Sequence, residues 1–101
     1  MSRFQLEILA ILVESPRAGS AVQRELEAWR DENLPHARVY QNLDALEERG
    51  LTKCHKQEVD GRTNRYEATE EGVVAVREYA ATMHSRVSSL PQEYRDRGIS
   101  P

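Results

Sequence analysis

Two groups of polar side chains in this 101-residue sequence could recognise nucleic acid. Arg38 and Gln41 are three residues apart and so share one face of a helix. A guanidinium group bonds well to the edge of guanine, and a carboxamide to the edge of adenine. The alternatives are that Arg38 pairs with a phosphate or with an acid of the helix, and that Gln41 binds water. The second group contains Lys56, Arg62 and Arg65, and cations of this kind hold the phosphates of a nucleic-acid backbone. Together the two groups predict a DNA-binding protein that reads base edges and contacts phosphate.

The helix that carries the first group is predicted over residues 37–50. Val39, Leu43 and Leu46 recur at i, i+4 and i+7 and form one apolar stripe, and Gly50 stands where a C-terminal cap belongs. The opposite face is short and polar, as a helix that enters a major groove requires. Taken alone, this pattern also fits an ordinary amphipathic surface helix.

Two further helices are predicted before this one. Helix 1 is apolar over most of its surface and should be buried on more than one side, and it ends before Pro16. Residues 17–19 are predicted as a turn, and Ser20 as the N-cap of helix 2. The stripe of helix 2 comprises Val22, Leu26 and Trp29. Residues 33–35 end it, so helices 2 and 3 stand in the relation of a helix-turn-helix.

The pattern after Gly50 changes to a period of two, which is typical of strands. Residues 51–57 form the first strand, Asp60 and Gly61 a hairpin turn, and residues 63–68 the returning strand. The tip of this wing is polar and basic, as a phosphate contact requires. A hairpin tip that is simply solvated is the alternative interpretation.

A fourth helix is predicted after Thr69, which would cap it, with Glu70 and Glu71 favourable in its first turn. Its apolar residues are spaced alternately by three and four, like the a and d positions of a coiled coil. These residues, the seam, are Val73, Val76, Ala80, Met83, Val87 and Leu90. The seam could pack on its own domain, but the other elements already supply one another with partners, so we expect a homodimer. Residues 91–101 are expected to form a short tail.

The formal net charge of −3 argues at first against a nucleic-acid partner. Four Arg face six acids in residues 1–35 and again in residues 66–101, whereas six Lys or Arg face five acids in residues 36–65. The middle third is the only positive one, and a local patch can bind phosphate on an acidic protein. Two Lys against twelve Arg fit either a salt-rich cytoplasm or a GC-rich genome. In a salt-rich cytoplasm, binding would depend mainly on base contacts, shape and water.

No catalytic set is visible, because the sequence has no Gly-rich phosphate loop, no nucleophile triad and no paired carboxylates in an apolar setting. We therefore expect no enzyme and no cofactor. The three His lie on different elements and, with one Cys, have no metal-binding spacing, so we expect no metal site. Cys54 is interpreted as a small core-facing residue, with oxidant sensing as the alternative because cations flank it. No apolar run approaches about 20 residues and the start lacks a signal-peptide core, which favours a cytoplasmic location.

Three segments carry a family resemblance. Residues 39–43 read Val-Tyr-Gln-Asn-Leu, and residues 46–51 read Leu-Glu-Glu-Arg-Gly-Leu. Residues 60–72 read Asp-Gly-Arg-Thr-Asn-Arg-Tyr-Glu-Ala-Thr-Glu-Glu-Gly. In these segments the sequence resembles the PadR-like winged-helix transcriptional regulators, including small archaeal members. The resemblance covers residues 4–90, and the third segment is the most specific. Gln41 stands where the family usually has Pro, and Ala68 where it usually has Leu.

The resemblance implies an α+β, mainly α, fold: a winged helix-turn-helix over residues 1–71, a dimerisation helix over 72–90 and a tail over 91–101. It implies a homodimer that regulates transcription, with a recognition helix in the major groove and the wing on the adjacent backbone. We expect a repressor-type protein on a pseudopalindromic double-stranded DNA site, and the sequence leaves open whether a small-molecule effector exists. The expected DNA-binding residues are Ser20, His36, Arg38, Tyr40, Gln41, Asn42, Lys56, Arg62, Thr63, Asn64 and Arg65. Phe4 and Ile8 are expected to join the seam in the dimer interface.

The rival hypothesis is a winged-helix dimer that binds another protein and no DNA. The overall negative charge favours this rival, and the positive wing opposes it.

Overall fold

The computed structural model of the chain describes residues 1–56 and 61–95. Five helices and three strands follow one another as α1 (Arg3–Glu14), β1 (Arg17–Ala18), α2 (Gly19–Arg30), α3 (His36–Glu48), β2 (Thr52–His55), β3 (Arg65–Ala68), α4 (Glu70–Ser88) and α5 (Gln92–Arg95). The strands form an antiparallel sheet in the order β1-β3-β2. The fold is thus mainly helical with a small sheet, as the sequence predicts.

Helix α1 lies at the centre and packs against α2, α3, α4 and β3. Its buried side chains are Phe4, Glu7, Ile8, Leu9, Ile11 and Leu12. Ser2 caps the helix by accepting a hydrogen bond from the backbone N–H of Gln5 at 3.1 Å. The helix ends at Glu14, because Ser15 is extended before Pro16. Both the end before Pro16 and the burial on several sides are confirmed.

The segment between α1 and α2 differs from the prediction. Residues 17–19 were expected to form a turn, but Arg17 and Ala18 pair with Tyr66 and Arg65 as a third strand. Helix α2 then begins at Gly19, with Ala18 as its N-cap, so Ser20 lies inside the helix and is not its cap. The pairing with β3 fixes the direction of the chain here, and a strand of two residues leaves no period that sequence could reveal.

The stripe of α2 is confirmed for Val22 and Leu26, which are fully buried, and is wrong for Trp29, which is 56% exposed. The chain folds back beyond Asp31, a left-handed residue with φ 52°, and brings Leu34 into the core. Two side chains of α2 hold Leu34 there. The Leu34 N–H donates to the Glu27 carboxylate at 2.9 Å, and its carbonyl accepts from the Gln23 amide at 3.1 Å.

Helix α3 confirms the predicted stripe, since Val39, Leu43 and Leu46 are each fully buried. It begins at His36 and ends at Glu48. Gly50 follows with φ 75°, its N–H donating to the Glu47 carbonyl at 2.9 Å, while the Leu51 N–H donates to the Leu46 carbonyl at 2.9 Å. This pair of bonds is the Schellman motif, which confirms Gly50 at the C-terminal cap.

Strands β2 and β3 form the predicted wing, with Cys54 opposite Tyr66 and His55 opposite Arg65. Regular pairing is shorter than expected, because Thr63 and Asn64 precede β3 instead of opening it. Gly61 has the positive φ, 77°, that a tight turn favours. The other predicted turn residue, Asp60, lies outside the described residues, as does Gln57 of the predicted first strand.

Helix α4 begins at the predicted cap, since the Thr69 hydroxyl accepts a hydrogen bond from the Gly72 N–H at 3.1 Å. Gly72 is the one buried residue of this helix. It is buried because the first turn of the helix packs directly against the backbone of Leu51. The helix ends at Ser88, and the expected tail forms the short helix α5 up to Arg95. Residues 96–101 lie outside the described part of the chain.

We expect Gly72→Ala to lower the free energy of unfolding by about 1–3 kcal/mol, the range for overpacking a filled site. A Cβ atom at this position would overlap the Leu51 carbonyl oxygen, which is backbone and cannot turn away. Urea denaturation measures the change. Val74→Ala on the same helix is the matched control, because Val74 is 44% exposed and should change stability by about 0.5 kcal/mol or less. Equal stability of the two variants would contradict the close packing at Gly72.

Candidate nucleic-acid interface

The exposed face of α3 carries His36, Arg38 and Gln41, all of which the sequence predicted to contact DNA. The buried stripe on the other side of the helix fixes this orientation. His36 is stacked on Tyr40, with ring centroids 4.1 Å apart and an interplanar angle of 26°. The structure therefore brings a row of groups that can bond to bases or phosphates onto one solvent-facing surface.

Tyr40 joins three elements beside this surface. Its ring covers Gly19 at the start of α2, where any Cβ atom would overlap it, and meets the Tyr66 ring edge-on at a centroid distance of 6.3 Å. Partial burial raises the pKa of Tyr40 above its ordinary value of 10.0. Tyr40 thus fixes α3 against α2 and the wing, a packing role that the sequence prediction did not include.

Asn42 makes two hydrogen bonds within the protein. Its side-chain oxygen accepts from the Gln5 amide at 3.0 Å, and its side-chain nitrogen donates to the Arg38 carbonyl at 2.8 Å. Asn42 was predicted to contact DNA, and the structure places its amide between α1 and α3 instead of on the outer face. Its role here is to tie the two helices together.

Arg38 does not extend straight into solvent. Its guanidinium carbon lies 4.1 Å from the centre of the Phe4 ring, a cation–π contact, and its Nη1 lies 3.8 Å from Oε1 of Glu32. The Arg38 side chain remains 44% exposed. A second cation, Arg30, lies 5.1 Å from the centre of the Phe4 ring.

Arg30 belongs to an ion-pair network on α1 and α2. Its Nη1 donates to Glu7 at 2.9 Å, and Glu7 also contacts Arg3 at 3.3 Å. The hydrogen bond to Glu7 raises the pKa of Arg30 above its already high ordinary value. Sequence reasoning found neither this network nor the contacts of Arg38, because Phe4, Glu7 and Glu32 meet the two arginines only through the tertiary fold.

The wing residues lie at one end of the sheet. Lys56 and Arg62 are exposed, and Thr63, Asn64 and Arg65 are half-buried. Arg65 pairs with Ala18, which places the wing beside the N-terminus of α2 and the exposed Ser20. The predicted DNA-binding residues of α2 and the wing are therefore neighbours.

Two polar contacts stabilise the strands of the wing. His55 bonds to Glu67 at 2.8 Å, and this hydrogen bond holds the pKa of Glu67 below its ordinary value. The backbone N–H of Cys54 donates to the Glu47 carboxylate at 2.9 Å, which joins β2 to α3. The first contact thus joins the two strands of the wing, and the second joins the wing to α3.

Cys54 is half-buried and packs against the core, in agreement with its interpretation as a core-facing residue. Its neighbour across the sheet is Tyr66, which is 4% exposed. Burial and the Cys54 thiol raise the pKa of Tyr66 to about 12, although a hydrogen bond with Asn64 opposes the shift. Within the described residues no three His, Cys, Asp or Glu side chains are grouped so as to hold a metal ion.

The seam on α4 is only partly covered. Val73, Val76 and Leu90 are half-buried, whereas Ala80 is exposed and Met83 and Val87 are 45% and 46% exposed. The two residues expected to join the seam, Phe4 and Ile8, lie in the core of the protomer at 6% and 0% exposure. Their inclusion in a dimer interface is corrected, because the protomer's own helices cover both side chains.

An apolar cleft of about 530 Å³ opens beside the seam, between α1, α2 and α4. Its lining includes Leu6, Ala10, Trp29, Val76, Tyr79 and Ala80. Trp29, which was predicted to be buried but is exposed, has the largest side chain in this cleft. The cleft and the seam share Val76 and Ala80, so the apolar part of the cleft continues the seam, while Arg3, Glu7 and Arg30 line the rest of the cleft.

A helix-turn-helix followed by a two-stranded wing and a long helix defines the class of winged-helix DNA-binding proteins. Residues 8–78 match the transcriptional regulator PadR-like family, and the chain belongs to that family. The resemblance found in the sequence is thereby confirmed, and this is a family of regulators and not of enzymes. In the described residues no helix has the length and apolar character that crossing a membrane requires.

Solved structures with the same fold include RosR of H. salinarum, which is 36% identical with a TM-score of 0.84 over 95% of this chain and 86% of that one. A complex of the same RosR is 38% identical with a TM-score of 0.84, covering 96% of this chain and 84% of that one. A ZitR mutant of Lactococcus lactis in complex with DNA is 23% identical with a TM-score of 0.72, over 97% of this chain and 60% of that one, and supports the fold alone. The comparison with curated proteins gives no match.

We expect the stability that the neutral Tyr66 hydroxyl contributes to be complete below pH about 10, the unfolded pKa of tyrosine, and to be lost as the pH rises through about 12. The sign follows because the folded pKa lies above the unfolded one, so the unfolded chain releases this proton first. Tyrosinate absorbance followed against pH should show one group titrating near pH 12. That step should disappear in Tyr66→Phe. Its persistence in the variant would assign the shifted group to another tyrosine.

Proposed function

We propose that this regulator binds double-stranded DNA as a homodimer, with α3 in the major groove and the wing on the adjacent backbone, and that it acts as a repressor. The observation that carries the proposal is the position of His36, Arg38 and Gln41 on the outer face of α3, a helix anchored to a core that also holds the basic wing. Phosphate contacts then set the register, and base contacts provide specificity.

Within this proposal the side chains divide by what they can reach. Gln41 projects from the middle of the exposed face and has the bidentate amide that suits adenine. Lys56, Arg62 and Arg65 are assigned to phosphates, with Thr63 and Asn64 as neighbouring polar contacts. Ser20 and His36, at the starts of α2 and α3, are assigned to the backbone as well, since N–H groups at helix N-termini favour phosphate.

The homodimer is supported by the surface of α4. Met83 and Val87 are large, apolar and almost half exposed, and the cleft with Trp29 continues the same surface. A two-fold dimer would cover this surface on both copies at once, since the same patch is used twice. Two recognition helices related by the two-fold axis would meet half-sites about 34–36 Å apart, which requires a pseudopalindromic operator.

Repression is the simplest consequence of such binding, because a dimer that fills two major grooves excludes other proteins from them. The rival function, a protein-binding module without DNA binding, is favoured by the net charge of −3. Fluorescence anisotropy with promoter fragments of the host and a random duplex, at several salt concentrations, separates the two. Selective binding with two protomers per site supports the regulator, whereas no binding at any salt by a folded dimer favours the rival.

We expect the double substitution of Arg62 and Arg65 by Ala to weaken binding to specific and random duplexes alike. The slope of log K against log salt should fall by about two units, because about two phosphate contacts are lost. Arg77→Ala is the matched control, since Arg77 is an exposed cation on α4, away from α3 and the wing. An unchanged slope in the double variant would refute the assignment of the wing to phosphate.

We expect Val87→Glu to dissociate the homodimer, because a two-fold interface would bury the new carboxylate on both copies without a partner. Sedimentation velocity measures the change. Val74→Glu is the control, because Val74 is equally exposed but lies outside the seam. A dimer that survives Val87→Glu and dissociates with Val74→Glu would place the interface on the other face of α4.

A further inference from the structure

The carboxylate of Glu32 lies between two arginines and is close to both without bonding fully to either. Its Oε1 is 3.6 Å from Nε of Arg30 and 3.8 Å from Nη1 of Arg38. Both distances exceed the 2.7–2.9 Å of a charge-assisted hydrogen bond. One acid is thus shared by a cation on α2 and a cation on the recognition helix.

Arg30 has an unused donor that faces this acid. Its Nε is buried and has no hydrogen-bond partner within the described part of the chain. The rest of the guanidinium is fixed, since Nη1 is bonded to Glu7 at 2.9 Å and the group lies beside the Phe4 ring. A buried donor without an acceptor is unfavourable, so a shift of Glu32 by less than 1 Å toward Arg30 would be stabilising.

Arg38 lies on the other side of Glu32, and its contact with the Phe4 ring leaves the guanidinium able to bind an anion from solution. The Phe4 ring supports the guanidinium from α1 at 4.1 Å, while 44% of the side chain faces solvent. If α3 lies in a major groove, this solvent is replaced by DNA, whose phosphates compete with Glu32 for the same cation.

We propose that Glu32 is exchanged between the two arginines when DNA binds: phosphate takes Arg38, and the Glu32 carboxylate moves onto Nε of Arg30. This inference rests on the proposed function of α3. It assigns Arg38 to the phosphate backbone, and it makes Glu32 a positioning residue that holds Arg38 against Phe4 in the free protein. The exchange leaves no charge unpaired, because each partner that is lost is replaced by another.

The exchange predicts that Glu32 weakens DNA binding in the wild-type protein. Glu32→Gln keeps a carbonyl oxygen that Arg30 can use and removes the charge that competes for Arg38. We expect this variant to bind a labelled random duplex about two- to five-fold more tightly, the range of an exposed ion pair. The gain in affinity should vanish in the Arg38→Ala background, because the guanidinium for which Glu32 and phosphate compete is then absent.

Asp31→Asn is the matched control, since it removes one negative charge from the neighbouring residue and asparagine tolerates the left-handed conformation there. Binding is measured by fluorescence anisotropy on the full chain, and urea denaturation checks that each variant is folded. An affinity that stays unchanged or falls in Glu32→Gln overturns the exchange. An equal gain in Asp31→Asn, or in the Arg38→Ala background, also overturns it, because either result indicates a general charge effect.

The same data separate this inference from the proposed function. Wild-type protein that binds no duplex at any salt overturns both. Wild-type binding that weakens when Arg62 and Arg65 are replaced, together with no gain in Glu32→Gln, overturns only the exchange.

Discussion

The contact between the stripe of α3 and the apolar surface of α1 determines the rest of the structure. Val39, Leu43 and Leu46 are fully buried, and side chains of this kind each contribute about 1.5–3 kcal/mol when removed from water. A rotation of α3 about its axis would expose them, so the opposite face is fixed outward. The outward orientation of Gln41 and His36 is therefore a consequence of core packing.

The same central helix organises the elements on both sides of it. Hydrogen bonds and ring contacts complete what apolar burial begins: Gln5 of α1 holds Asn42, Phe4 supports Arg38, and Tyr40 covers Gly19 and meets Tyr66. Side chains that look suitable for DNA contact are thus partly used to position α3. On the outer face, His36 stacks on Tyr40 and Arg38 contacts Phe4, whereas Gln41 has no such contact within the described residues.

Local patterns predicted the elements that local physics controls. The stripe of α3, the Gly50 cap, the Thr69 cap and the end of α1 before Pro16 all follow from periodicity and capping within a few residues. The predictions that were wrong concern features that depend on contacts between elements distant in the sequence. Strand β1 exists only because β3 pairs with it, and the core contains Leu34, from beyond the end of α2, whereas Trp29 is exposed. Phe4 and Ile8 have the apolar character of an interface, but other helices of the same protomer reach them first.

The candidate site was predictable to the level of its helix face and its wing, and not to the level of individual contacts. Net charge was the weakest guide to the site, because a total of acids and bases ignores where the charges lie. Glu7, Glu25 and Glu67 are each bonded at 2.8–2.9 Å to Arg30, Arg17 and His55, away from the outer face of α3. Residues 36–65, which contain α3 and most of the wing, carry six Lys or Arg against five acids, so a phosphate backbone that approaches them meets a different balance from the total of −3. An acidic protein can bind DNA in this way, provided that cations outnumber acids where the phosphates approach.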